Sequence, residues 1–373
     1  MAKIKDVIFE YSVRNKADEN INVYSVTNEK GFCTDYFSKE VASKDKTAYK
    51  IVPRGYFAYN PSRINVGSID WQNHEDRVIV SPLYVVFGVS KHIDQQYLLY
   101  YLKSDIMLSL IKESATGSVR DNLKLSTLEE FPINLRPIDE QRHIAAVLDK
   151  VSDLIAKRKQ QLDKLDEIVK ARFVEMFGQD NYPCHALIEL ITTGAGLSYG
   201  IVQPGDEGTG DMGVLRPVDL VDGGISTAAI KYIDRSIGNG FKKTELTGNE
   251  LLITVRGTTG ITALTDSRFK NMNVTRGIAV IRYDQSKINP IYLNCYLNSN
   301  ESQHYIQEHT RGATLQQINL SDLRTLQISV PPMILQEDFA VFVKQIDKLK
   351  LTIQRSCDKL EVLKKALMQR YFG

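Results

Sequence analysis

GSVRDNLKLSTLEEFPINLRPIDEQ (residues 117–141) and GATLQQINLSDLRTLQISVPPMILQ (residues 312–336) are one segment written twice. They align without a gap at an offset of 195, and the register holds to the end of each copy. Asp163-Lys164-Leu165 falls on Asp358-Lys359-Leu360, Lys170-Ala171 on Lys365-Ala366, and Phe177-Gly178 on Phe372-Gly373. Of the 62 aligned positions, 16 are identical. Two unrelated helices would share scattered Leu and Lys. They would not share Gly117, Pro137, Gln141 and a terminal Phe-Gly in one register.

Each copy reads as a short lead-in followed by one long helix. In the first, Ile144, Leu148, Val151, Ile155, Leu162, Leu165, Val169 and Met176 recur at alternating steps of four and three, with Arg158 and Arg172 filling the gaps. In the second, Phe339, Val343, Ile346, Ile353, Cys357, Leu360, Leu367 and Tyr371 do the same, with Lys350 and Lys364 interrupting. This is a heptad seam. Pro137 and Pro332 stand just before the helices, where proline is tolerated, and Gly178 stands where a helix end is expected. About 39 residues at 1.5 Å each give a rod of roughly 58 Å. A lone seam would face water, so two copies in one chain predict helices packed on each other. A globular segment between them permits antiparallel packing and near two-fold pseudo-symmetry.

Working outward, residues 1–116 and 179–311 precede their respective repeats. Both run strands, turn, strands and a Tyr-Leu helix, then reach Gly117 or Gly312. The strand-like runs are Lys50-Ile51-Val52 and Asp76 to Val80 in the first, Glu250 to Val255 and Arg276 to Arg282 in the second. The helices are Asp94 to Leu102 and Pro290 to Leu297. The two segments are read as one α/β (α+β) fold with diverged surfaces. Fifteen of the 23 glycines lie between Gly194 and Gly277, so the second segment is loop-rich, and loops on a rigid scaffold carry recognition.

Composition excludes several classes. The 373 residues are 43% apolar and 25% charged, which rules out disordered, collagen-like and disulfide-scaffold chains. Lys+Arg is 47 and Asp+Glu is 45, so a heavily basic protein is out, while a binder with local positive charge is not. The four cysteines and six histidines are scattered and show no metal-ligand spacing. No apolar run is long enough for a membrane span or a signal peptide, which makes the cytoplasm the expected compartment.

The lead-ins FPINLRPIDEQRHIAAVLD and LQISVPPMILQEDFAVFVK, together with GNELLITVRGTTG, resemble elements of a known family. It is the specificity (S) subunit of type I restriction–modification systems. The duplicated order of motifs carries the resemblance over essentially the whole chain. Two departures stand out: Arg136 replaces a first proline, and Leu335-Gln336-Glu337 stands in place of Glu-Gln. The resemblance implies two similar target-recognition domains, residues 1–135 and 179–330. Two long antiparallel coiled-coil spacer helices, residues 136–178 and 331–373, would separate them. Each domain would read one half of a bipartite double-stranded DNA target, and the helices would fix the half-site separation. Two methyltransferase subunits and restriction subunits would be the partners. S-adenosylmethionine, ATP and Mg²⁺ would sit on those partners, with no cofactor bound by this chain.

The residues themselves show no chemistry of their own. There is no GxxxxGK[ST] loop, and Asn60-Pro61-Ser62-Arg63 lacks the second proline and the aromatic of an amino-methyltransferase motif. It reads as a turn. Candidate DNA contacts are therefore basic and amide residues on loops. Between 242 and 282, seven basic residues (Lys242, Lys243, Arg256, Arg268, Lys270, Arg276, Arg282) face three acidic ones, a local excess that suits phosphate. Arg256 in an Arg-Gly turn suits guanine, and Asn271 and Asn273 suit adenine. In the first segment the candidates are Asn60, Arg63, Ser81 and Arg120. The competing reading is a non-enzymatic coiled-coil adaptor binding proteins or glycans through its two globular domains.

Overall fold

The computed structural model describes residues 2–34, 45–114, 122–178, 182–203, 210–221, 224–312 and 315–373. The chain divides into two compact units, and each contains part of both long helices. Unit 1 is Met1–Gln160 with Gln354–Gly373, and unit 2 is Gln161–Ile353.

Each unit is built on a four-stranded antiparallel sheet of the same order. In unit 1 the order is Ile8–Glu10, Val85–Val89, Phe57–Tyr59, Ile69–Trp71. In unit 2 it is Ser198–Tyr199, Ile278–Ile281, Leu251–Thr254, Thr262–Leu264. The inner strands of unit 2, LLIT and IAVI, are buried at every residue. That is why they read as continuous apolar runs rather than alternating ones. A further strand pair ties the start of each unit to the residues just before its long helix. It is Ala2–Lys3 with Pro132–Ile133 in unit 1, and Cys184–Ala186 with Gln327–Ser329 in unit 2.

Among the helices the 195-residue offset holds element by element. Helices Gln95–Leu102, Asp105–Ser114 and Leu125–Glu129 are repeated as Pro290–Leu297, Asn300–His309 and Leu320–Thr325. Asp94 and Asn289 cap the first of each set, their side chains accepting backbone N–H groups of the first turn. The long helices are Ile138–Phe177 and Met333–Phe372, 40 residues each. Gln141 and Gln336, in their first turns, are fully buried. The Oε1 of Gln141 accepts the Asp94 N–H at 2.9 Å, and the Oε1 of Gln336 accepts the Asn289 N–H at 2.8 Å. The Nε2 groups donate to the carbonyls of Arg136 and Pro331, both at 2.8 Å. The change to Leu335-Gln336-Glu337 therefore leaves this clamp intact.

The two helices pair antiparallel within each unit. In unit 1, Ile144 and Leu148 near the start of the first helix share a core with Leu367, Met368, Tyr371 and Phe372 at the end of the second. Further along, Lys159 meets Glu361 at 3.2 Å. In unit 2 the end of the first helix meets the start of the second, with Phe173 and Phe177 each 5.5 Å from the Phe339 ring. Every apolar seam residue predicted from the heptads is buried or half-buried, Ile155, Leu162, Leu165, Ile353 and Leu360 included. The charged interruptions find partners. Lys350 pairs with Asp166, Lys364 lies over the Tyr100 ring, and Arg172 pairs with Glu175 at 2.7 Å.

The repeated terminal Phe-Gly also has a structural use. Phe177 packs on Tyr292, ring centroids 4.9 Å apart, and Phe372 packs on Tyr97 at 5.3 Å. Tyr97 and Tyr292 are themselves related by the offset. Each long helix thus ends by plugging the core of the unit in which the other helix begins.

Candidate nucleic-acid interface

The sequence candidates of unit 2 fall into three groups. The first is a corner at the end of the four-stranded sheet. Here Arg256 and Gly257 leave the strand Leu251–Thr254, and Arg276 and Gly277 lead into the strand Ile278–Ile281. Backbone hydrogen bonds pin this corner from both sides. Val255 N–H donates to Gly277 O at 2.8 Å, Gly257 N–H to Gln316 O at 2.9 Å, and Ile318 N–H to Val255 O at 3.0 Å. Gly257 has φ +85°, which L side chains rarely adopt, and a Cβ on Gly277 would sit 2.6 Å from Pro217 Cγ. The backbone is therefore rigid, while Arg276 is exposed and Arg256 half-buried. Among the described residues, no hydrogen bond or ion pair engages either side chain. Arg311 and Gln317 exchange backbone hydrogen bonds at 2.8 Å beside them, which adds an exposed arginine to the same place.

The second group is Lys242, Lys243 and Lys270, all exposed. Asn273 holds this group together and does not belong to the surface. It is fully buried, its Oδ1 accepting from Thr244 Oγ1 at 2.8 Å and its Nδ2 donating to Phe241 O at 3.1 Å. Asn273 therefore cannot present its amide to a base, and the sequence expectation for it is corrected. The third is Arg268, whose guanidinium forks onto Asp266 at 2.7–3.1 Å. That hydrogen bonding holds the Asp266 carboxyl below its usual range and spends the positive charge locally. Arg282, counted in the basic excess, is half-buried and committed within the unit, donating to Glu245 O at 2.5 Å and lying 3.6 Å from the buried Glu250.

Unit 1 places its candidates at the same corner. Asn60 and Arg63 follow the strand Phe57–Tyr59, and Ser81 precedes the strand Val85–Val89. Leu123 N–H donates to Pro61 O at 3.1 Å, which joins this loop to the segment before the short helix, as Ile318 does in unit 2. The Asn60 Oδ1 accepts from Ser62 N and Oγ at 3.1 and 2.9 Å, so its carbonyl end is committed to its own turn. A cleft of about 430 Å³ opens here, lined in part by Lys50, Asn60, Leu83, Asn122 and Lys124. Burial, and then Arg14, hold the Lys50 ammonium below the usual lysine range while it donates to Tyr84 O at 2.6 Å. Arg120 lies outside the described residues. Sequence reasoning passed over Leu83, 77% exposed, and Arg311. Strand pairing and the bridges of Gln317 to Arg256 and Arg311, rather than a sequence pattern, bring them to the corners.

The sequence pattern of the type I restriction modification DNA specificity domain matches this chain twice, over residues 4–167 and 209–364. The chain belongs to that family. The two matched specificity domains are the two halves of the internal repeat. The chain is 23% identical over 300 residues to the EcoBI type I restriction enzyme specificity subunit of Escherichia coli, across 71% of this chain and 62% of that protein. It thus spans less than two thirds of that relative's length. A solved chain from work on assembly and conformational transition of the type I R-M system covers 100% of this chain and 96% of its own. Its TM-score is 0.57 and its identity 16%. The type I restriction–modification S subunit of M. genitalium covers 100% of this chain and 95% of its own, with TM-score 0.53 and 14% identity. At these identities the structural likeness concerns the fold: two α/β specificity domains with long antiparallel helices. No helix among the described residues is long and apolar enough to cross a membrane.

Proposed function

We propose that this chain is the DNA sequence-specificity subunit of a type I restriction–modification complex. The observation that carries the reading is the duplication: one corner, in one fold, presented once by each specificity domain. Two similar readers joined by long helices suit a bipartite duplex target, as two symmetric half-site readers do. Each corner reads one half-site, and the helices set the separation of the halves. The long helices also dock two methyltransferase subunits and the restriction subunits. No reaction is assigned to this chain, and S-adenosylmethionine, ATP and Mg²⁺ belong to the partners. The near balance of 47 basic and 45 acidic residues fits a chain that reads bases while partners supply much of the phosphate contact. The protein- or glycan-binding adaptor is not favoured, because it leaves the duplicated specificity-domain match unexplained.

The test is selection from a randomised duplex library by the chain assembled with its methyltransferase subunit. Two short conserved blocks at one fixed spacing are expected. Enrichment of no bipartite site over random duplex would sink the reading. The antiparallel seam sharpens the test of spacing. An insertion of about four residues in one helix alone would shift its seam against the partner. One heptad inserted in both helices, after Gln160 and after Ile353, keeps both seams in phase. About seven residues at 1.5 Å add roughly 10 Å, or about 3 base pairs at roughly 3.4 Å each. The gap should grow by that amount with both half-sites unchanged. Altered half-sites at constant spacing would contradict the role of the helices.

A further inference from the structure

The two corners follow the same strand pair but carry different side chains. In unit 1, Tyr59 ends its strand opposite Val85, and in unit 2, Thr254 ends its strand opposite Ile278. Leu83 stands two residues before Val85, and Arg276 two residues before Ile278. Counted back from these paired residues, the loop before the strand holds a leucine in unit 1 and an arginine in unit 2. Two residues beyond the strand ends stand Pro61 in unit 1 and Arg256 in unit 2.

Neither Leu83 nor Arg276 is needed for folding. Leu83 is 77% exposed at the rim of the cleft lined by Asn60, Pro61, Ser62 and Asn122. Arg276 is exposed, with no side-chain partner among the described residues. Arg63, the arginine of the first corner, is engaged within the chain. Unit 1 therefore offers an apolar tip, and unit 2 offers uncommitted guanidinium forks. In the major groove the thymine methyl is the apolar feature, while guanine O6 and N7 accept an arginine fork.

Resting on the DNA-reading function proposed above, we infer that Leu83 and Arg276 are specificity-determining residues of the two corners. Leu83 selects an A·T pair in the half-site read by unit 1. Arg276, with Arg256 beside it, selects G·C in the half-site read by unit 2.

The experiment is the same library selection, run with the complex carrying Arg276→Leu, Leu83→Arg or Leu83→Ala. Arg276→Leu should lower the preference for guanine at one position of one half-site by about ten- to a hundredfold. Leu83→Arg should convert one A·T position of the other half-site to G·C. Leu83→Ala, which only removes the contact, should relax that same position, and it serves if the arginine variant folds poorly. Loss of affinity spread evenly over all sequences would mark Arg276 as a phosphate contact and overturn the inference. So would unchanged half-sites, or both variants altering the same half. A wild-type complex that selects no bipartite site would instead overturn the function on which the inference rests.

Discussion

Replacing Phe339 by alanine should cost about 3–5 kcal/mol of stability. The ring is fully buried in the core of unit 2 and meets Phe173 and Phe177 edge-on at 5.5 Å. Both partners belong to the other long helix, so the cavity opens at the helix pair as well as in the domain. Tyr292 stacks on Phe173 at 5.6 Å and meets Phe177 at 4.9 Å, which leaves the surroundings little room to collapse. Urea unfolding checks this, through a lower midpoint. Val341 lies on the same helix but is 56% exposed, and Val341→Ala should stay within about 0.5 kcal/mol. Equal losses from the two substitutions would mean that the aromatic cluster does not hold this end of the helix pair.

The second large effect is expected at Glu250, at the foot of the strand that leads to Arg256. Its side chain is 1% exposed yet fully provided with donors. Thr247 N and Oγ1 donate at 2.8 and 2.7 Å, Gly248 N at 3.0 Å, Asn249 N at 3.1 Å and Thr265 Oγ1 at 2.9 Å. Arg282 stands 3.6 Å away. Glu250→Ala orphans the backbone donors of Thr247, Gly248 and Asn249 and leaves the half-buried Arg282 guanidinium without its carboxylate, which should cost about 3–5 kcal/mol.

The pH dependence follows from the same network. Burial pushes the Glu250 carboxyl up, and the hydrogen bonds from Thr247, Thr265 and Gly248 outweigh it, leaving the group below its usual range. A depressed folded-state value stabilises the protein above the unfolded carboxyl's titration and is lost as pH falls through the folded value. The gap in stability between wild type and Glu250→Gln should therefore be widest near neutrality. It should narrow in acid as the wild-type carboxyl takes up its proton. A gap that stays constant from neutral pH into that acid range would show that charge plays no part.

Much of the architecture is local and periodic, which makes it readable from one chain. The steps of four and three from Ile144 to Met176 and from Phe339 to Tyr371 specify a helix and its buried face wherever the helix docks. The offset of 195 specifies that whatever the first half forms, the second repeats. Asp94 and Asn289 announce their helices because a cap needs only its own first turn.

The interface was only partly readable. Asn273 and Arg276 lie three residues apart in one polar stretch and look alike in sequence. One is buried because Thr244, 29 residues away, hydrogen-bonds its amide, and the other has no such partner among the described residues. Leu83 attracted no notice because an isolated leucine signals core. Only the strand pairing brings it to the corner that corresponds to the one where Arg276 stands. The sequence by itself determined a duplicated chain, two seam-bearing helices and their family resemblance, since periodicity and repetition are properties of neighbours along the chain. The tertiary structure decided that each helix ends in the unit where the other begins, and which loop residues at the two corners have no side-chain partner among the described residues. Those outcomes depend on contacts between residues far apart in sequence, which no spacing encodes.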